Sequence, residues 1–159
     1  MEGKTFYVTK GKLKELQKEH AALVDFERLK TVGQEAPKVL ESEDMNPEFV
    51  AYQEDMDKLR LRIDELQGIF DRHEVIKNPP KEKRALVDIG AKVKVDSSGK
   101  HHEFMIVGTL EANPLAKKIS NESPLGHGLM GARVGDFVKV KASMVNHDCK
   151  ILKIVYHSL

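Results

Sequence analysis

Hydrophobic residues recur at helical spacing through one long stretch in the first half of the chain. Steps of three and four residues alternate along it, at Phe49, Tyr52, Met56, Leu59, Ile63, Leu66 and Phe70. This spacing puts the side chains on one face of a helix and is typical of a coiled-coil seam. Asn is a favoured N-cap and Pro a favoured first residue, so the helix is predicted to begin at Asn46 and Pro47.

A second, weaker seam lies upstream. It includes Leu13, Leu16, His20 and Leu23, and then drifts through Phe26, Leu29, Val39 and Leu40. Gly33 and Pro37 weaken the end of this first helix, which is predicted to end near Val39. Two seamed helices joined by a short segment predict an antiparallel coiled-coil hairpin, a finger whose tip is at residues 41–48.

The second half of the chain has the pattern of short strands. Segments rich in Val and Ile alternate with turn residues, and the predicted strands are "ALVDI", "AKVKV", "HEFMIVG", "FVKVKA" and "KILKIVY". Turns are predicted at Ser98 and Gly99, at Asn113 and Pro114, at Gly135 and Asp136, and at residues 146–148. One short helix fits "GHGLMGARVGD". The whole chain is therefore predicted to be α+β, a helical hairpin followed by a small, mostly antiparallel β domain.

The boundary between the two halves is predicted at two adjacent prolines. Pro79 and Pro80 donate no backbone hydrogen bond, so the second helix is expected to end near Lys77. Residues 1–80 carry 13 Lys and Arg against 17 Asp and Glu, whereas residues 81–159 carry 13 against 8. We therefore assign residues 1–78 to the finger, 79–81 to a linker and 82–159 to the second domain.

Composition narrows the class of protein. Charged residues make up 32% of the chain and aromatic residues 6%, which is typical of long exposed helices. No stretch approaches the roughly 18 apolar residues of a membrane span, and the N-terminus lacks the apolar run of a signal peptide. Cys149 is the single cysteine, which excludes an internal disulfide. A cytoplasmic protein without a membrane partner is predicted.

Four carboxylates gather at the predicted tip. Glu41, Glu43, Asp44 and Glu48 lie within eight positions of one another. Acids before a helix commonly act as caps and solvated charge, which is one interpretation. Carboxylate oxygens also suit Mg²⁺, which proteins usually hold through one or two carboxylates together with phosphates and water. A finger cannot enclose an ion alone, so any Mg²⁺ would be shared with another molecule.

Four stretches of the chain carry recognisable motifs: "KKISNESPLGHGLMGARVGDFVKV", from Lys117 to Val140, "IVGTLEANP" before it, and "TKGKLKELQKE" and "NPEF" at the starts of the two predicted helices. The first is similar to the C-terminal signature of bacterial Gre transcription-cleavage factors, and the second to the strand and turn before that signature. The last two resemble the openings of the family's two helices. The resemblance covers nearly the whole chain, and it implies a coiled-coil finger followed by a domain with the topology of FK506-binding proteins.

The resemblance also implies a partner and a role. Gre factors bind bacterial RNA polymerase at its secondary channel and insert the finger, so that tip carboxylates reach the nascent RNA 3′ end. By this resemblance Glu41 and Asp44 help to hold a second Mg²⁺ shared with the polymerase, with Glu43 secondary, and no ion is bound in isolation. Polymerase docking is assigned to Ser123, Pro124, Leu125, Gly126 and His127. The protein is then a monomeric activator of RNA cleavage and not itself an enzyme.

The tip departs from the family pattern. The family has Asp-x-x-Glu directly before its second helix, whereas Glu41 and Asp44 exchange the two acids and Met45 is an additional residue. A family member that enters the channel and modulates or inhibits the polymerase without cleavage is therefore the alternative. An interaction protein and a prolyl isomerase are further alternatives, although fold alone does not carry function.

Other conspicuous side chains have simpler interpretations. His101 and His102 are predicted in an exposed hairpin turn, and Cys149 as a packing residue rather than a nucleophile. The first helix is also rich in basic residues that could attract RNA phosphates or serve as an ordinary coiled-coil surface: Lys12, Lys14, Lys18, Arg28 and Lys30.

Overall fold

The computed structural model describes residues 3–33, 46–142 and 145–157. The fold is α+β, as predicted, and the chain divides into two compact units. A helical unit comprises Leu13–Arg72, and a β unit combines Met1–Lys12 with His73–Leu159. No helix in the described part of the chain is long and apolar enough to cross a membrane.

Two helices supply the helical unit. α1 spans Lys10–Arg28 and continues as a π-helical turn over Leu29–Gly33, while α2 spans Pro47–Asp71. The predicted start of α2 is confirmed, because the Asn46 Oδ1 atom accepts the Glu48 N–H at 3.0 Å and Pro47 opens the first turn. The predicted end of the first helix near Val39 lies outside the described residues.

The predicted seam of α2 faces away from water. Met56, Leu59 and Leu66 are buried, and the other seam positions, Phe49, Tyr52, Ile63 and Phe70, are half-buried. Leu61, which is off the seam, is 63% exposed. The hydrophobic periodicity therefore identified the correct face of this helix.

Contacts between α1 and α2 show the direction of the two helices. Glu19 and Glu27 of α1 bind Arg62 and Arg60 of α2, with Nε–Oε1 distances of 2.7 and 2.8 Å. The Tyr52 hydroxyl donates to the Lys30 carbonyl at 3.3 Å. Residues later in α1 thus contact residues earlier in α2. The two helices therefore run antiparallel, as the hairpin prediction requires.

The β unit contains a mixed five-stranded sheet. Its strands are β3 (Ala91–Ser97), β4 (Lys100–Val107), β5 (Lys118–Ser120), β6 (Phe137–Ala142) and β7 (Val145–Tyr156), after the shorter β1 (Phe6–Val8) and β2 (His73–Val75). The sheet order is β5-β4-β3-β7-β6, and only the β4–β5 pair is parallel. β1 and β2 form a separate parallel pair.

One face of the sheet is covered by a short helix, α3 (Pro124–Leu129). Ala91, Val93 and Val95 alternate along β3 and are fully buried, since successive strand residues point to opposite faces. They pack with Ile106, Leu129, Val138 and Ile151 to form the core of the unit. The short helix predicted in this region is confirmed, although it begins at Pro124, before the quoted stretch.

Three sequence predictions about strands and turns in the second half of the chain are wrong. Residues 85–89 are not a strand, and only Leu86 makes an isolated bridge, to Arg133. Residues 146–148 lie within β7 and not in a turn. His101 and His102 lie in β4, because the turn before them is a tight one at Ser98 and Gly99, whose φ angles of 54° and 84° suit a two-residue hairpin.

The second helix ends earlier than the prolines suggest. α2 ends at Asp71 and not near Lys77, because His73–Val75 leaves the helix to pair with Phe6–Val8. The Ile76 N–H then donates to the Val8 carbonyl at 2.8 Å. Residues 73–78 thus belong with the β unit, which differs from the boundary drawn at residues 79–81.

Candidate functional site

The acidic segment predicted as the tip lies largely outside the described residues. Glu41, Glu43 and Asp44 belong to it, so their role stays a prediction. The described edge of the segment is the N-terminus of α2, where Asn46 caps the helix and Glu48 is exposed in the first turn. A carboxylate is favoured at this position by the helix dipole.

The start of α3 carries the five residues assigned to docking, and Ser123 is its cap. The Ser123 Oγ atom accepts the Gly126 N–H at 3.0 Å and donates to the Ser120 carbonyl at 2.7 Å. The Ser123 N–H also donates to that carbonyl at 3.1 Å. These bonds fasten the helix to the end of β5, so the hydroxyl of Ser123 serves the fold.

Gly126 is required by the close approach of α3 to β5. A Cβ atom at this position would lie 2.0 Å from the Ser120 carbonyl oxygen, well inside van der Waals contact. Only glycine permits this packing, and the residue is buried. Ser123 and Gly126 therefore shape α3, whereas Pro124 and His127 are exposed. The docking assignment itself stays a prediction.

A shallow apolar groove lies between α3 and the covered face of the sheet. Its volume is about 210 Å³, and its lining is Val95, Ser97, His102, Phe104, Leu125, Val140 and Cys149. The rings of His102 and Phe104 stack with centroids 6.0 Å apart along one wall. Half-buried Leu125, one of the predicted docking residues, packs against the core here. The groove and the exposed start of α3 form one continuous surface, which we call the α3 surface.

Cys149 is a packing residue, as predicted. Its side chain is 5% exposed and belongs to the core of the β unit. Burial raises the pKa of the thiol, and a hydrogen bond with Ser97 only partly opposes this. The sulfur is therefore protonated at neutral pH, and a protonated thiol is a poor nucleophile.

Glu111 is a residue that sequence reasoning missed. Its carboxylate accepts hydrogen bonds from the Thr9 hydroxyl at 2.6 Å and from the Thr9 N–H at 2.9 Å. The Thr9 Oγ1 atom in turn accepts the Lys12 N–H at 3.2 Å, which caps α1. Thr9 directly before a helical pattern was the available signal for the cap. The sequence does not show that Glu111, 102 residues later, is its partner.

The remaining candidate side chains have ordinary surroundings. His101 and His102 are exposed, and in the described part of the chain no three His, Cys, Asp or Glu side chains could hold a metal ion. Lys14, Lys18 and Arg28 are exposed on α1. They alternate there with acids such as Glu19 and Glu27. This pattern does not separate the two interpretations of the basic residues, attraction of RNA phosphates and an ordinary coiled-coil surface.

Comparison with known proteins gives a family match on both units. The family described as "Transcription elongation factor, GreA/GreB, C-term" matches residues 82–156. Transcription elongation factor GreA of Thermomicrobium roseum is 33% identical over 149 residues, which cover 92% of this chain and 95% of that protein. GreA of Mycoplasma pneumoniae is 35% identical over 153 residues, covering 94% and 95%.

Two solved structures are also similar over most of their length. GreA factor homolog 1 of Thermus thermophilus aligns with a TM-score of 0.42 at 21% identity, covering 96% of this chain and 99% of that one. A GreA/GreB elongation factor from Nitrosomonas europaea aligns with a TM-score of 0.44 at 15% identity, covering 97% and 100%.

Proposed function

Because this chain belongs to the GreA/GreB family of transcription elongation factors, we propose that it binds bacterial RNA polymerase at the secondary channel and stimulates cleavage of backtracked nascent RNA. The observation that carries the proposal is the 33% identity to GreA of Thermomicrobium roseum over 92% of the chain. That match extends beyond the β unit into the helices, where the acidic segment lies. A cytoplasmic location and a monomeric state are part of the same proposal.

The β unit supplies the docking contact in this proposal. We assign to it the FK506-binding-protein topology that the family resemblance implies. Pro124 and His127 are exposed at the start of α3, and Leu125 borders the apolar groove. Apolar surface with a few polar groups at its rim is what a protein partner can bury favourably. The α3 surface therefore binds polymerase, while Ser123 and Gly126 hold its shape.

The helical unit is the coiled-coil finger in this proposal. The antiparallel order of the α1–α2 contacts and the buried seam of α2 support it. In an antiparallel pair the connection between the helices lies at one end of both, so we propose residues 41–48 as the tip of the finger. Their carboxylates are then available to a partner's active site.

Glu41 and Asp44 are the residues that would hold the shared Mg²⁺. Their chemistry fits, since carboxylate oxygens are the hard ligands that this ion prefers, and two are within its usual number of protein ligands. When bound, Mg²⁺ supplies charge stabilisation and a more acidic water for phosphodiester hydrolysis. The protein contributes these two ligands, with Glu43 secondary, and the polymerase contributes the remainder of the site.

A second candidate is a homologue that enters the channel and modulates or inhibits the polymerase without stimulating cleavage. The observation that favours it is Met45, an additional residue beside the exchanged acids Glu41 and Asp44. Misplacement of a catalytic group by about 1 Å lowers rates by roughly a hundredfold. Polymerase binding would survive such a change, because it depends on the α3 surface.

A transcript-cleavage assay on backtracked complexes of a bacterial RNA polymerase tests both candidates. We expect the wild-type protein to accelerate cleavage and the Glu41→Ala/Asp44→Ala variant to lose roughly a hundredfold of that acceleration, with polymerase affinity unchanged. Glu43→Ala should have a smaller effect. The reason is that the two outer carboxylates act at the ion and not in docking.

The matched control is Glu54→Ala/Asp57→Ala, which removes two exposed acids with the same spacing from the side of α2. Cleavage that is equally reduced by the control, or unchanged by the tip variant, would contradict the metal role of Glu41 and Asp44. A wild-type protein that slows elongation without cutting RNA would establish the inhibitory candidate instead.

A further inference from the structure

The face of the five-stranded sheet opposite α3 carries more lysines than carboxylates. In β3, Ala91, Val93 and Val95 point into the core, so Lys92 and Lys94 point to the opposite face. The register places Lys153 of β7 beside Lys94 on that face. Val138 of β6 and Cys149 of β7 are buried, so their sequence neighbours Lys139 and Lys150 point to the same face as Lys94. We call this surface the lysine face.

Carboxylates on the lysine face do not balance its charge. Five lysines share it with Asp96, Glu103 and Asp148. Glu103 pairs with Lys92 through their side chains, and this hydrogen bond, with help from the charges of Lys92 and Lys94, lowers the Glu103 pKa. Asp96 accepts the Gly99 N–H at 2.9 Å in the β3–β4 turn. Asp96 and Asp148 lie opposite Lys150 and Lys139 in the register, so the five lysines and three carboxylates leave this face with a net charge of +2.

Two of the lysines oppose each other directly. Lys94 and Lys153 are register partners across the β3–β7 pair, which sets their Cβ atoms about 5 Å apart. Like charges at this separation destabilise a sheet. Glu103 is the register partner of Lys94 on β4, but it also pairs with Lys92 and so offsets only part of this repulsion. A negatively charged ligand lying over Lys94 and Lys153 would remove more of it, so the arrangement favours an anionic partner. A shallow depression of about 290 Å³ beside the pair includes Lys92, Lys94, Glu103 and Lys153 in its lining.

An exposed aromatic ring borders the lysine face. Phe137, at the start of edge strand β6, is 72% exposed and is the register partner of Lys150. The Lys150 Nζ atom lies 5.5 Å from the centre of the ring. Phe137 thus contributes little to the core of the β unit, and it offers a flat apolar surface on which a base can stack.

From the charge excess, the opposed lysines and the exposed ring, we propose that the lysine face binds single-stranded nucleic acid. Lys94, Lys150 and Lys153 contact successive phosphates, and Phe137 stacks with a base at the edge of the sheet. A broad sheet surface cannot enter a duplex groove, whereas single strands bind to such surfaces through phosphates and stacked bases. This site is separate from the α3 surface and does not depend on polymerase binding.

Fluorescence anisotropy of a labelled RNA oligonucleotide of about 12 nucleotides, within the range of known single-strand sites, tests the proposal. Full-length Lys94→Gln/Lys153→Gln should bind roughly 25-fold more weakly at about 0.1 M salt, and the slope of log affinity against log salt should fall by about 1.4, because two phosphate contacts are lost. Phe137→Ala should weaken binding at least about fivefold through lost stacking.

The matched control is Lys81→Gln/Lys83→Gln, which removes two exposed lysines from a turn of the same unit outside the sheet. It should bind as the wild type does. Equal loss in the control and the lysine-face variant would overturn the proposal, as would absence of RNA binding by the wild type. Tighter binding of polyglutamate than of the oligonucleotide would assign the face to an acidic protein and overturn it as well.

Discussion

At the residue scale, glycine in α3 illustrates how one missing side chain determines local structure. The Ser120 carbonyl accepts hydrogen bonds from both the N–H and the hydroxyl of Ser123, and the backbone of Gly126 packs against the same oxygen. A side chain at Gly126 would displace the helix from this oxygen. The shape of the α3 surface therefore depends on a residue that offers no side chain to a partner.

We expect Gly126→Ala to destabilise the protein by about 3 kcal/mol, as overpacking against rigid backbone does. Urea unfolding followed by circular dichroism measures this. Gly128→Ala is the matched control in the same helix, because its Cβ atom would meet the Val138 side chain at 3.2 Å, which can yield. Its effect should stay within about 1 kcal/mol. Equal stability of the two variants would contradict the packing argument.

At the scale of elements, the stability of α2 depends on its seam. Leu59 is 9% exposed, whereas Leu61, two residues later on the other side of the helix, is 63% exposed. An aspartate at position 59 would bury an unpaired charge, but an aspartate at position 61 would remain in water. The same substitution should thus have very different effects on the two faces.

We expect Leu59→Asp to lower stability by about 3 kcal/mol or more, and Leu61→Asp to change it by less than about 0.5 kcal/mol. Thermal denaturation followed by far-UV circular dichroism compares the two variants, because most of the helical signal comes from α1 and α2. If Leu59→Asp melted at the wild-type temperature, the seam would not be the buried face of the helix.

The sequence predicted the long elements better than the short ones. The seam of α2 contains seven positions, so its face and its N-cap were identified correctly from periodicity and from Asn46. β1 and β2 have only three residues each and stabilise each other through pairing between Phe6 and His73, which are far apart in sequence. No local sequence pattern predicts such a pairing. The end of α2 was therefore predicted near Lys77, several residues beyond its observed end at Asp71.

The same limit applies to the candidate site. The sequence predicted a short helix here but placed its start at Gly126 and not at Pro124. The roles of Ser123 and Gly126 within the fold required the position of the Ser120 carbonyl. The lysine face was also hidden, because Lys94 and Lys153 are far apart in sequence and become neighbours only through the β3–β7 register. Alternation of Lys and Val in β3 and β6 indicated one exposed face in each, without showing which strands adjoin.

At the scale of the whole molecule, the proposed docking and cleavage roles fall in different parts of the chain. The α3 surface belongs to the β unit, whereas the acidic segment belongs to the helical unit. Substitutions in the two places should therefore affect different measurements. Affinity for polymerase should respond to the α3 surface, and the cleavage rate at saturating protein should respond to Glu41 and Asp44.

We expect His127→Glu to weaken binding to bacterial RNA polymerase by roughly tenfold, the scale of a single interface substitution, while cleavage at saturating protein stays near the wild-type rate. His101→Glu is the matched control, because it places the same charge at an exposed position in β4, outside α3. Equilibrium binding and single-turnover cleavage, measured on the same backtracked complexes, separate the two effects. A His127→Glu variant with normal affinity would exclude His127 from the interface, whereas a reduced rate at saturation would show that docking also positions the acidic segment.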